Sequence, residues 1–224
     1  AGAALALRKR PDIRFLTFGD ESVVRAAVSE HAGLAQATTI IHSAVSIRMD
    51  DQPSQALRKG RRTSSMWMAI DAVKRGEADA AVSAGNTGAL MAMAKFVLKT
   101  LASIDRPAIA SFFPTLRGES VMLDLGANVD CTADNLVQFA VMGDAFARTV
   151  LGVAQPTIGI LNVGSEDLKG HDSVRAAAAA LRAGPSVREG QYSYYCSRTV
   201  LRSIRFSNFS PITMRLTKMP GVII

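Results

Sequence analysis

Cysteine is almost missing from this sequence. Its two thiols, Cys131 and Cys196 in 224 residues, give neither a disulfide framework nor a metal-ligand spacing. No metal is therefore expected, and a reducing cytosol is the simplest compartment. Histidine is equally scarce, and His31, His42 and His171 form no recognisable triad. No apolar run approaches the ~18 residues needed to cross a bilayer as a helix. A P-loop and a G-x-G-x-x-G after a strand are both lacking, which removes the usual nucleotide fingerprints, and no cofactor is expected. An initiator methionine is lacking too, so the chain is expected to begin inside a longer protein or to have been trimmed. Its opening places Arg8, Lys9 and Arg10 after the apolar residues 3–7. A signal peptide has the opposite order, and an amphipathic first helix is predicted instead.

What is present is a globular composition, 48% hydrophobic and 20% charged with a mean hydropathy of +0.16. That suits one large domain or two small ones. The net charge of +7 invites a nucleic-acid reading, but its distribution opposes it. Residues 185–224 hold six Lys/Arg and one Glu, whereas the first 184 residues hold 20 basic and 18 acidic side chains. A nearly balanced body offers no basic stripe, so no nucleic acid is expected.

Apolar periodicity sets out an alternation of strands and helices. Strands are predicted over 13–18, 38–44, 80–82, 108–113, 121–125 and 158–163. Helices are predicted over 21–31, 64–75, 89–101, 133–151 and 172–183, the last capped by Asp172 or Ser173. The polar stretch 48–62, with Pro53 and Gly60, reads as a surface connection with one helical turn. Short apolar strands alternating with helices predict a three-layer α/β/α fold around a largely parallel sheet. Ligands of such sheets sit beyond the carboxyl ends of the strands.

Three strand ends carry unusual residues. The first is Ser83, Gly85, Asn86, Thr87 and Gly88, between the 80–82 strand and the helix behind it. A strand, a small polar turn and a helix aim unpartnered backbone N–H groups at an anion. Asn86 or Thr87 can cap the helix, and the glycines allow close approach. An ordinary strand-to-helix turn is the competing reading. The second end holds Asp124, Gly126, Asn128 and Asp130, for which simple Asx turns compete. The third holds Asn162, Gly164, Glu166 and Lys169, with lysine a suitable point charge for phosphate and a solvated loop as the alternative.

Five motifs in one order are more specific than any alone. They are SSM at 64–66, GEADAAVSAGNTGAL at 76–90, MLDLGANVDC at 122–131, LVQFAVMG at 136–143 and LNVGSEDLKG at 161–170. The chain resembles the phosphate acyltransferases of bacterial phospholipid synthesis, the PlsX family, from about its start to Ala183. The resemblance implies an enzyme that makes acyl phosphate from an acyl-carrier-protein thioester and inorganic phosphate. It also implies a fold similar to isopropylmalate dehydrogenases and phosphotransacetylases. A cytoplasmic homodimer, peripheral to the inner face of the membrane, is implied as well.

Phosphate attacks the thioester itself in that reaction, so no protein nucleophile is required and positioning and charge stabilisation supply catalysis. Ser83, Gly85, Asn86, Thr87 and Gly88 are expected to hold phosphate or the developing oxyanion, with Asn162 and Gly164. Lys169 is expected to neutralise charge, Asn128 to orient oxygens, and Asp124 or Glu166 to position a partner. Cys131 is read as a buried structural thiol rather than an acylated nucleophile. Two alternatives stand beside this reading: a phosphotransacetylase-like enzyme acting on a coenzyme A thioester, and a non-catalytic remnant. The resemblance implies that the family's opening strand, with its Gly-Gly-Asp motif, would precede this chain. Residues 185–224 contain no Ala or Asp and all three tyrosines, and are expected to form an atypical basic tail rather than complete the family's second domain. The partial acyltransferase-like domain is accordingly expected over 1–184.

Overall fold

The computed structural model describes residues 1–115, 118–128, 130–162, 170–183 and 192–196. The chain divides into two compact units, the first over Ala1–Lys99 and the second beginning at Thr100.

In the first unit, α1 (Gly2–Lys9) precedes β1 (Phe15–Gly19), α2 (Glu21–Ser29), β2 (Thr38–His42), α3 (Pro53–Gly60), α4 (Ser65–Lys74) and α5 (Thr87–Leu98). β1 and β2 pair in parallel, Phe15 opposite Thr38 through Gly19 opposite His42. The side-chain period of two sends Phe15 and Phe18 to opposite faces. Phe15 packs with Val24 and Val28 of α2, while Phe18 and Ile41 face the same cavity as Trp67 and Met68 of α4, which lies against β1. A helix on each face of a parallel pair is the predicted α/β/α layering on a small scale. Asp20 starts α2 by accepting from the N–H groups of Ser22 and Val23, and His42 Nδ1 accepts from Glu21 N–H at 3.2 Å. His42 is therefore a structural acceptor at the end of β2.

The core of this unit lies where α3, α4 and α5 meet. Ala56, Met66, Trp67, Ile70, Leu90 and Met93 are among its buried members. Ser64 of the SSM motif is fully buried there. Its Oγ caps α4 by accepting from Trp67 N–H at 3.2 Å. α3 is longer than the single turn predicted for 48–62. Proline at its first turn pre-sets the helical φ, and Ala56 is fully buried against its neighbours.

Two expectations in this unit fail. Residues 80–82 form no strand. A strand needs a ladder partner for its N–H and C=O groups, and among the described residues no strand pairs with this stretch, which leaves Val82 87% exposed. α5 also stops before Leu101. Lys99 takes a left-handed φ of 66°, which ends the helix and leaves Leu101 80% exposed.

The second unit contains β3 (Ala110–Thr115), β4 (Gly118–Leu123), α6 (Ala133–Leu151), β5 (Ile158–Asn162), α7 (Asp172–Ala183) and β6 (Tyr192–Cys196). β3 and β4 form an antiparallel pair from Ala110 opposite Leu123 to Thr115 opposite Gly118. Two residues separate them, and a parallel return needs a crossover of a dozen or more. β3 continues two residues past Phe113, where the sequence predicts its end. β5 and β6 are parallel, joined through α7; β6 lies in the segment for which the sequence predicts no family element. The core here joins Ile160 of β5 to Ala177 and Leu181 of α7, with Leu136, Val137 and Ala140 of α6 against them. α6 opens with a reciprocal capping box between Thr132 and Asn135. α7 begins at Asp172, and the His171 carbonyl accepts from the N–H groups of Val174 and Arg175.

Candidate active site

In the first unit the 83–88 turn leads into α5. Asn86 is its organising residue and is buried. Its Oδ1 accepts from Ala89 N–H at 3.0 Å, which caps the helix. Its Nδ2 donates to the carbonyls of Arg48, Met49 and Asp51 at 3.2, 3.1 and 2.7 Å. Three carbonyl acceptors around one nitrogen settle which end of the amide is which. Asn86 ties the 48–51 loop to the mouth of α5 and leaves no amide hydrogen for a ligand. The Ser83 hydroxyl accepts from Gly85 N–H at 3.2 Å.

The glycines are likewise explained by packing. A Cβ on Gly88 would lie 2.9 Å from Cγ of Pro53 in α3, and one on Gly85 would lie 3.3 Å from Cε of Met66. Among the described residues, the N–H of Thr87, the N–H of Gly88 and the Thr87 hydroxyl are turn groups at the start of α5 without a protein partner. Thr87 is exposed. Two first-turn N–H groups and a hydroxyl at the positive end of a helix can hold an oxyanion.

The second unit holds the other two predicted sites, each at the end of an observed strand, β4 and β5. Asp124 follows β4, and its Oδ2 accepts from both the backbone N–H of Asn128 (2.8 Å) and its Nδ2 (3.1 Å). Its Oδ1 accepts from Ile109 N–H at 3.4 Å. Asn128 Nδ2 also donates to the Pro107 carbonyl at 3.2 Å. Asn128 is oriented rigidly by Asp124, and the atom it leaves for a ligand is the acceptor Oδ1 rather than a donor. Gly126 makes the turn between them at φ +77°.

Cys131 sits beside this pair, half-buried rather than buried as predicted, its Sγ 3.7 Å from the Asn128 carbonyl. Burial raises its pKa first and the Asp124 charge adds to that, against a smaller opposing effect of Arg106. A thiol held protonated is a poor nucleophile, in keeping with a structural role.

Asn162 closes β5 and is buried. Gly170 lies against it: a Cβ there would fall 2.1 Å from Asn162 Oδ1, and Gly170 itself is at φ +95°. Only glycine fits such a place. Gly164, Glu166 and Lys169 lie outside the described residues. The structure therefore brings Asp124 and Asn128 into contact and sets Asn86, Thr87 and Gly88 in a single turn. Sequence reasoning missed the carbonyls of Arg48, Met49, Asp51 and Pro107, because a backbone acceptor leaves no mark in composition. It also missed Asp105, which binds Gln138 twice near the start of α6, accepting from Nε2 at 2.9 Å and donating its N–H to Oε1 at 2.8 Å. Among the described residues no group of His, Cys, Asp and Glu has the makings of a metal site.

A family model described as fatty acid synthesis protein matches residues 1–199. The chain is similar to a phosphate acyltransferase of Rhodospirillum centenum, 63% identical over 183 residues covering 82% of this chain and 51% of the relative. It is 58% identical to a phosphate acyltransferase of Parvibaculum lavamentivorans over 81% of this chain and 50% of that protein. The chain thus spans about half the length of these curated relatives. Among solved structures, a branched-chain phosphotransacylase from Enterococcus faecalis is similar at a TM-score of 0.49 and 14% identity, covering 81% of this chain and 67% of that one.

Proposed function

The chain belongs to the fatty acid synthesis protein family, and from that premise we propose that it serves the transfer of an acyl group from acyl carrier protein to inorganic phosphate. The product is an acyl phosphate for phospholipid synthesis. The observation that carries this reading is the 63% identity to a phosphate acyltransferase over 82% of the chain. A phosphate oxygen attacks the thioester carbonyl, the C–S bond breaks, and the carrier leaves as its thiol after taking up a proton. The protein's part is to place two anionic or polarised reactants and to stabilise the oxyanion between them.

The 83–88 turn is assigned to phosphate, through the N–H groups of Thr87 and Gly88 and the Thr87 hydroxyl. Asn86 builds that turn instead of touching the anion. In the second unit Asp124 fixes Asn128, whose Oδ1 is presented as an acceptor, and Lys169 is assigned the neutralising charge. Glu166 is assigned to positioning, and Asn162 and Gly164 to substrate contact. A homodimer in the cytoplasm with peripheral contact to the membrane belongs to the same proposal.

Thr87→Val tests the assignment of the turn. It keeps the β-branched shape and removes one hydroxyl donor to a charged ligand, worth about 1.5–3 kcal/mol. In the purified protein the KM for phosphate is expected to rise by roughly ten-fold or more, with the KM for the acyl thioester unchanged. An equal rise in both, or none, removes the turn from phosphate binding.

A further inference from the structure

A second candidate site lies at the other end of α5, within the first unit and independent of the acyl-transfer reading. It is a cavity of about 410 Å³. Its apolar wall is built from both layers: Phe18 and Ile41, paired in register across β1 and β2, and Trp67 and Phe96 from α4 and α5. The two rings sit 5.6 Å apart and tilted. Phe96 lies nine residues beyond Thr87, roughly 14 Å along the helix, so this cavity is separate from the phosphate turn.

Its rim is cationic. Arg61 stacks on Phe96, 4.9 Å from the ring centre, and Arg75 is held by Asp71 and Glu77 at 2.9 and 2.8 Å. Arg62 and Lys74 also line the cavity, and among the described residues neither has a hydrogen-bond or ion-pair partner. Arg62 is held at φ 64°, a left-handed conformation that side-chain-bearing residues adopt at a cost and that recurs at ligand clamps. An aromatic and aliphatic floor beside two unpaired cations is complementary to a molecule with one apolar chain and one anionic head. The volume falls within the ~300–1,000 Å³ of small-molecule sites, and a helix of about 10–12 Å diameter would not enter it.

We infer that this cavity binds a single-chain anionic amphiphile, with the chain on Phe18, Ile41, Trp67 and Phe96 and a phosphate or carboxylate head between Arg62 and Lys74. Trp67 is the only tryptophan in the chain, so its fluorescence reports the site directly. The purified 224-residue chain is titrated with decyl phosphate, decanoate, decyltrimethylammonium and inorganic phosphate, all below micellar concentrations. A saturable change with one or both decyl anions, and none with the cation or with phosphate alone, is expected. The tighter of the two anions identifies the head group. The Arg62→Ala/Lys74→Ala pair, both exposed residues, is expected to weaken binding at least ten-fold with an unchanged far-UV spectrum, and Arg62→Lys/Lys74→Arg to retain it. Equal binding of decyltrimethylammonium, indifference to the alanine pair, or no saturable change with either anion would overturn the inference.

Discussion

Asn86 makes four hydrogen bonds from one buried amide, one to cap α5 and three to hold the 48–51 loop. Asn86→Ala removes the cap and leaves three carbonyls without their donor. The expected loss is about 2–3 kcal/mol of stability, read as a lower midpoint in urea. Asn86→Ser keeps a capping oxygen and should recover part of it. Equal stability of wild type and alanine variant would contradict the structural role. The sequence marks Asn86 or Thr87 as the cap but cannot show the loop that Asn86 reaches, because partners 35–38 residues away in the chain are a tertiary fact. Asp124 and Asn128 are four residues apart, and that pairing is visible in the motif. The use of both Asn128 donors on protein oxygens is not, since the Pro107 carbonyl is supplied by another segment.

At the scale of elements, periodicity finds the helices that bury one face, α4, α5, α6 and α7, and misses where tertiary context decides. The 80–82 stretch has strand composition without a ladder partner among the described residues, and α3 is a helix because Ala56 and Pro53 pack on α4 and α5. That packing makes Gly88 a joint between elements. Gly88→Ala places a methyl group 2.9 Å from the rigid ring of Pro53, and the strain should cost about 1–3 kcal/mol. Gly126→Ala would fail for a different reason, its φ of +77°. Thermal unfolding of Gly88→Ala beside Gly88→Ala/Pro53→Ala checks the contact, because truncating the ring should restore part of the loss; equal destabilisation of the two variants would exclude it.

The start of α2 responds to acid. The Ser22 hydroxyl first, then the Val23 N–H, hold the Asp20 carboxyl below the usual carboxylate range. A depressed folded-state pKa contributes stability that is fully present above the unfolded value near 4 and lost as pH falls through the folded value. Asp20→Asn should therefore show a shallower loss of stability between about pH 5 and pH 2 than wild type. Parallel acid titrations of the two proteins would contradict this.

On the scale of the molecule, the alternation of strands and helices is legible from apolar patterning, and the order of five motifs points to the family. The division at residue 99 into two units is not legible, since no proline- or glycine-rich linker marks it. The antiparallel pair β3–β4 follows from a connection too short for a crossover. The reaction is proposed for a chain that spans about half of its curated relatives. The deciding measurement is product formation by the purified chain from long-chain acyl carrier protein and labelled inorganic phosphate, with acetyl coenzyme A and phosphate in parallel. Labelled acyl phosphate from the carrier-protein substrate is the expected result. Product from the coenzyme A thioester alone, or none from either while phosphate still binds, would contradict the account.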